Sequence, residues 1–166
     1  MMMRSLPLLL LAGFALILMA GEADAIEPEW SYTTGDAVVS VAISADGEYI
    51  VAGSTDHKIY LFNKDNNTPL WSHETGNEVY SVSISADGEY VAAGSADNKV
   101  YLFDKDSSTP LWSYNTGGRV WSVAISADGE YIVAGTWGPS STGDCDENSC
   151  QVYPLDKDSS TTLCTN

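Results

Sequence analysis

Apolar and polar positions alternate in short runs along residues 38–136, and the runs recur. In Val38–Ser44, Val39, Val41 and Ile43 stand against Ser40, Ala42 and Ser44. A period of two predicts a strand, and small residues on its second face suit close packing on both sides. Tyr49–Ser54 and Lys58–Asn63 predict two more strands, the latter carrying Ile59, Tyr60, Leu61 and Phe62. Between the first two, Ala45-Asp46-Gly47-Glu48 predicts a hairpin loop in which Gly47 is free to take a positive φ. Thr55-Asp56-His57 supplies the next turn. Pro69–His73 then predicts a short fourth strand, opened by a proline where a missing donor does no harm. The set returns as Val79–Ser85, Tyr90–Ser95, Lys99–Asp104 and Leu111–Tyr114, and again as Val120–Ser126, Tyr131–Thr136 and Gln151–Leu155.

The recurrence is close to exact copying. Val38–Gly53 differs from Val120–Gly135 only at Val39 against Trp121. Asp46, Asp87 and Asp128 follow one another every 41 residues, and Trp30, Trp71 and Trp112 keep the same step. Such a period marks a repeat architecture, in which one unit cannot bury its own apolar faces. Four short strands per unit of about 40 residues is the blade pattern of a propeller. The expected fold is therefore all-β: a partial β-propeller of three four-stranded antiparallel blades. The third unit departs from the others. A polar insertion over Trp137–Cys150 separates its second and third strands, and Thr161-Thr162-Leu163-Cys164 replaces Thr109-Pro110-Leu111-Trp112.

The segment VxSVAxSxDGxxxxxGSxDxxVxLxD resembles the WD repeat. Asp56 and Asp97 match the turn aspartate of that motif, and Phe62-Asn63 and Phe103-Asp104 stand where Trp-Asp usually ends the third strand. The family's Gly-His pair is replaced by Gly76-Asn77 and Gly117-Gly118. The resemblance therefore implies that the His-Asp network bracing such blades is incomplete. Leu102-Phe103-Asp104 with Trp112 and Thr116-Gly117-Gly118 also resembles the blades of quinoproteins, where a tryptophan docks one blade on the next. That likeness implies blade packing by Trp30, Trp71 and Trp112, and we expect Tyr60 and Tyr101 to serve the same packing rather than to stack on a sugar.

Ahead of the repeats, Arg4 is the only charge before an apolar run from Leu6 to Ala20, and Ala23-Asp24-Ala25 follows. This is the pattern of a secretory signal helix cleaved after Ala25, and the run is short for a membrane span of ~20 residues. We expect residues 1–25 to be a signal peptide, residues 26–166 the repeat domain, and the mature protein to be secreted, periplasmic or on the cell surface. The chain of 166 residues carries 23 acidic and 7 basic residues, for a formal charge of −16. Phosphate binding needs clustered Lys and Arg, so nucleic acid is excluded as a partner, and so is a polybasic membrane patch.

Export would put the three cysteines in an oxidising compartment. Cys145 and Cys150 flank four polar residues in the insertion, which fits a disulfide closing a small loop. A metal site with Asp144, Asp146 and Glu147 is the alternative, but zinc sites usually need a second Cys/His knuckle. Cys164 is left free or bonds another chain. The loops Asn63-x-Asp65-x-Asn67, Asp104-x-Asp106-x-Ser108 and Asp156-x-Asp158-x-Ser160 place oxygens at alternate positions, as calcium requires. They lack the sharp-turn glycine and the twelfth-position acid, and hairpin loops favour these residues anyway. Calcium is the one cofactor they leave open. His57 and His73 have no matching partner, and no nucleophile elbow, metalloprotease or phosphate-loop motif is present.

These readings point to an exported, non-enzymatic β-propeller repeat module that binds or scaffolds proteins. The WD-repeat resemblance implies a binding face built from the turns between fourth and first strands and between second and third strands. It would carry Asp36, Asp56, Asn77, Glu78, Asp97, Arg119 and Trp137. A remnant of a quinoprotein dehydrogenase and a self-associating surface protein are the competing classes. Propellers usually close with four to eight blades. Glu29–Thr34 matches a fourth strand without a preceding blade. Two chains exchanging that strand onto Gln151–Leu155 would make a six-bladed ring, so a homodimer is expected.

Overall fold

The computed structural model describes residues 27–138 and 151–162. The signal segment, Cys145, Cys150, Cys164 and the acids of the insertion lie outside the described residues. Twelve strands fill these spans in three antiparallel sheets of four, each in chain order. The first sheet holds β1 (Val38–Ile43), β2 (Tyr49–Ser54), β3 (Lys58–Asn63) and β4 (Trp71–Glu74). The second holds β5 (Val79–Ile84), β6 (Tyr90–Ser95), β7 (Lys99–Asp104) and β8 (Trp112–Asn115). The third holds β9 (Arg119–Ile125), β10 (Tyr131–Trp137), β11 (Val152–Asp156) and β12 (Ser159–Thr162). The blades and the meander within each are those the alternation predicts.

Each hairpin between a first and second strand is fixed by one aspartate. Asp46 accepts the Ser44 hydroxyl at 2.5 Å and the Glu48 N–H at 3.0 Å, and Asp87 and Asp128 repeat both bonds. These bonds, the serine hydroxyl's first, hold all three carboxyls below the usual carboxylate range. The Asp-Gly turns are structural devices, as expected.

Blades pack face to face. Val51, Ile59 and Leu61 of the first blade meet Val79, Val82, Val91 and Phe103 of the second in one buried cluster. Ala92, Val100 and Leu102 of the second meet Val120, Val123, Ile132 and Leu155 of the third in another. The approach is close enough to demand glycine: a Cβ on Gly53 would lie 2.8 Å from Val79 Cγ1, and one on Gly94 would lie 2.5 Å from Val120 Cγ1. The innermost strands are stitched directly. Val82 N–H donates to Ser40 Oγ and Val123 N–H to Ser81 Oγ, both at 3.0 Å. Ala45 N–H donates to the Ala86 carbonyl, and Ala86 N–H to that of Ala127.

Each fourth strand also reaches forward. Trp71 Nε1–H donates to the Lys105 carbonyl at 2.7 Å, and Trp112 Nε1–H to the Lys157 carbonyl at 2.8 Å. Trp30 makes the same bond to the Lys64 carbonyl at 2.5 Å and sits 5.5 Å from the Phe62 ring.

Within the single chain Glu29–Thr34 forms no strand: it lies extended over the first blade, with Trp30 packed on its core. The third blade has a fourth strand of its own, β12, paired to Leu155 and Asp156 through a turn at Lys157-Asp158. The Pro-Leu-Trp anchor that places β4 and β8 farther along is missing here, so the chain turns back at once.

Candidate functional site

The ends of the sheets that carry the turn before β1, the turns β2–β3 and β4–β5 and their counterparts form one side of the molecule. Bonds between those turns tie it together. Asp56 accepts Gly35 N–H at 2.7 Å, Lys58 N–H at 3.0 Å and the Tyr60 hydroxyl at 2.6 Å. Asp97 accepts Gly76 N–H, Lys99 N–H and the Tyr101 hydroxyl in the same way. Burial pushes the Asp56 carboxyl up, but the bonds from Tyr60, Gly35, Ser54 and Lys58 outweigh it and leave the group below its ordinary value. Tyr60 and Tyr101 are pushed up, first by burial and then by the carboxylate each one bonds. A tyrosine and a glycine N–H thus brace the turn that a histidine braces in the resemblance drawn from the sequence. His57 takes a left-handed turn, with φ of 71°, as does Asn98, and their carbonyls accept the N–H and hydroxyl of Thr75 and Thr116.

The expected face residues therefore divide. The carboxylates of Asp56 and Asp97 are committed inside the blades. Asp36 and Asn77 cap their own turns: the side-chain oxygen of Asp36 accepts Ala37 N–H, and that of Asn77 accepts Glu78 N–H. Glu78, Arg119 and Trp137 come together around two residues that were not singled out, Tyr80 and Trp121. Tyr80 stacks on Trp121 with centroids 4.4 Å apart and planes 13° apart. Trp121 meets Trp137 at 5.8 Å. The Tyr80 hydroxyl donates to Glu78 Oε2 at 2.5 Å. That bond, then burial, raises the Tyr80 pKa, while the nearby Arg119 opposes the shift. Arg119 and Trp137 face each other across the β9–β10 pairing. Trp121 and Trp137 remain 45% and 44% exposed.

The result is an open row of three aromatic rings flanked by one acid and one base. Its signal in the sequence is the position that takes three different residues, Val39, Tyr80 and Trp121, in stretches that otherwise differ only by small changes at Ala42/Ser83/Ala124, Ile50/Val91/Ile132 and Val51/Ala92/Val133. The change from valine to ever larger aromatic rings sets this position apart from the others.

The other candidates are engaged elsewhere. His73 is half-buried, donating Nδ1–H to the Ser108 carbonyl with its ring against Tyr101 and Phe103. In the loops read for calcium, Asn63, Asp104 and Asp156 each accept the N–H two residues on. The neighbouring acids Asp65, Asp106 and Asp158 are paired to Lys64, Lys105 and Lys157. A lysine ammonium holds the carboxylate in each loop. Among the described residues no cluster of three or more metal-ligating side chains occurs.

Comparison with known proteins fits this geometry. The family model of the WD domain, G-beta repeat, matches residues 27–63, 67–104 and 108–151. Among solved structures, the β-propeller domain of Myceliophteria thermophila Cps50 (Swd1) superposes with a TM-score of 0.61 at 13% identity. The match covers 75% of this chain and 35% of that one, so the chain spans about a third of its length. A search of curated proteins finds no match.

Proposed function

Because the chain belongs to the WD-repeat family, whose model covers most of its described length, we propose that it is an exported, non-enzymatic β-propeller module that binds a protein partner. Propellers of this family generally serve as interaction scaffolds, and fold alone does not choose the partner. The observation that carries the reading is the exposed row Tyr80, Trp121 and Trp137 between Glu78 and Arg119. Trp, Tyr and Arg are the residues that dominate binding energy where they are presented on a rigid scaffold. Here β5, β9 and β10 supply that scaffold. Export is supported by the charged start, the apolar run Leu6–Ala20 and the small residues at Ala23-Asp24-Ala25. In the exported protein Cys145 and Cys150 form a disulfide, which alkylation of the unreduced protein would check by labelling Cys164 at most.

The full chain, used as bait in an extract of the producing cell's envelope, should retain a partner. Trp121→Ala and Trp137→Ala should each lose it, and Leu70→Ala, on the loop at the other end of the first blade, should not. Equal retention by all three variants would overturn the assignment of this face. The enzymatic alternative, a quinoprotein-type dehydrogenase, requires quinone-dependent activity with a bound-cofactor absorbance in the same preparation. The chain also self-associates in our reading, on the support of apolar surface at both end blades: Val41 is 67% exposed and Val152 72%.

A further inference from the structure

The chain carries its own template for what covers these two ends. The boundary between the first and second blades and that between the second and third use equivalent residues, one repeat apart. On the side that faces the next blade, Tyr49, Val51 and Gly53 become Tyr90, Ala92 and Gly94, and then Tyr131, Val133 and Gly135. On the side that faces the previous blade, Val79, Val82 and Gly88 become Val120, Val123 and Gly129, and their first-blade counterparts are Val38, Val41 and Gly47. In the two internal boundaries these positions interlock. The Tyr49 ring lies against Gly88 and the Tyr90 ring against Gly129. At the ends they are bare. Tyr131 is 52% and Val133 43% exposed. Nothing stands within 4 Å of a Cβ placed on Gly47 or Gly135.

Gly135 is the telling residue. It has no positive φ to justify a glycine, and in the equivalent Gly53 and Gly94 the need is a valine pair from the next blade. At the positions that interlock in the internal boundaries, both bare faces carry only Val, Tyr and Gly in a chain of formal charge −16. An exposed apolar surface spared by so much charge is a surface that is covered.

We infer, resting on the self-association proposed for the chain, that each bare face is covered by the opposite bare face of a second copy. The third blade of one chain docks on the first blade of the other, head to tail, twice over. Val133 and Gly135 then receive Val38 and Val41 of the second copy, as Gly53 receives Val79 and Val82. Tyr131 covers the second copy's Gly47. Val41 N–H reaches Ser122 Oγ, as Val82 reaches Ser40 and Val123 reaches Ser81. Ala127 N–H, which donates to no backbone carbonyl among the described residues, gains the Ala45 carbonyl of the second copy.

The extended cover also finds its place. Trp71–Glu74 pairs with Lys58–Leu61, and by the same step the second copy's Trp30–Thr33 falls beside Gln151–Pro154. The described residues of two copies supply six blades, inside the range in which propellers close, whereas those of three would supply nine. A head-to-tail contact that closes gives a ring rather than a filament.

The test is the mass in solution of the full chain and of two variants. Val41→Asp blocks the first-blade face and Val133→Asp the third-blade face. Both sites are exposed, so circular dichroism of each variant should match the parent. The parent should have the mass of two chains at micromolar concentration. Each variant should have that of one, with assembly weakened on the order of 100-fold or more by an unpaired carboxylate in an apolar contact. An equimolar mixture of the two variants should regain a two-chain species, because one of its two contacts is intact. If the parent has the mass of one chain, self-association itself fails. Should the parent pair while Val133→Asp pairs equally well, self-association stands and the head-to-tail contact falls. Growth of the parent's mass with concentration overturns the closed ring.

Discussion

The second and third blades are nearly one sequence in two environments. Val100 is fully buried, and its counterpart Val152 is 72% exposed. Ala92 is fully buried, and Val133, a larger apolar residue at the same place, is 43% exposed. On the opposite face the two blades agree: Val91 and Ile132 are both fully buried, as are Val79 and Val120. The difference lies in the neighbour, not the strand. In a stacked repeat, stability is a sum of unit and boundary contributions, and the third blade has one boundary where the second has two. The sequence pays no attention to that: it writes the same boundary residues whether or not the chain itself supplies their complement.

The largest effect should come from emptying a boundary. Phe103→Ala removes a fully buried ring from between two blades and should cost about 3–5 kcal/mol, read by urea unfolding. In the single chain kept apart by Val133→Asp, Phe62→Ala, under only the Trp30 and Tyr32 cover, should cost less, because an open site relaxes and rehydrates. Equal losses would mean that the cover acts as a full blade.

Overpacking sharpens the contrast. Gly94→Ala drives a methyl into Val120 and should cost about 1–3 kcal/mol. Gly135→Ala meets nothing and should change the stability of the single chain by about 0.5 kcal/mol or less, while weakening assembly.

A third comparison pairs the turn braces. Asp97→Asn should cost about 1.5–3 kcal/mol by removing the charge that Tyr101, Gly76 and Lys99 bond, and Asp56→Asn a similar amount, measured by thermal melting. The third blade is the natural reference, because its insertion replaces this turn.

The smallest effect is the one that should not differ between blades. Asp46, Asp87 and Asp128 all titrate below the unfolded value in the fold. A depressed carboxylate contributes stability above its unfolded pKa, near 4, and loses it as pH falls through the folded pKa. The melting temperature should therefore drop below about pH 4 with no contribution from these groups between pH 5 and 8. Carboxyl chemical shifts should show all three groups titrating below the unfolded value.

Much of the fold was legible because period and alternation are local. β2, β3, β6 and β7 have the bounds that the alternation gives them. What escaped was set by partners. Trp30–Thr34 repeats the residues of β4 and β8 but forms no strand in the single chain, because a strand needs an edge and none of the described strands lies beside it. The shift of the last strand to Ser159–Thr162 depends on a missing anchor that no pattern of alternation records. At the candidate site Glu78, Arg119 and Trp137 were visible as residues near one set of turns. Tyr80 and Trp121 were not, since each looks like one more strand residue until the β5–β9 neighbourhood stacks them. Asp56 and Asp97 went the other way: the motif points to them, and the structure spends them on the turn.

The forward-reaching tryptophans have a consequence for the order in which the chain organises itself. Each indole finds its carbonyl acceptor later in the sequence, 34 residues on for Trp30 and Trp71 and 45 for Trp112. A growing chain can therefore set a clasp only after the third strand of the following unit has been made, so units lock in pairs, from the first onward. The insertion lengthens the last of these loops from 34 to 45, and because closure entropy rises only with the logarithm of length, the added penalty is about 0.2–0.3 kcal/mol. A loop at this place can change its length and chemistry almost without disturbing how the blades latch.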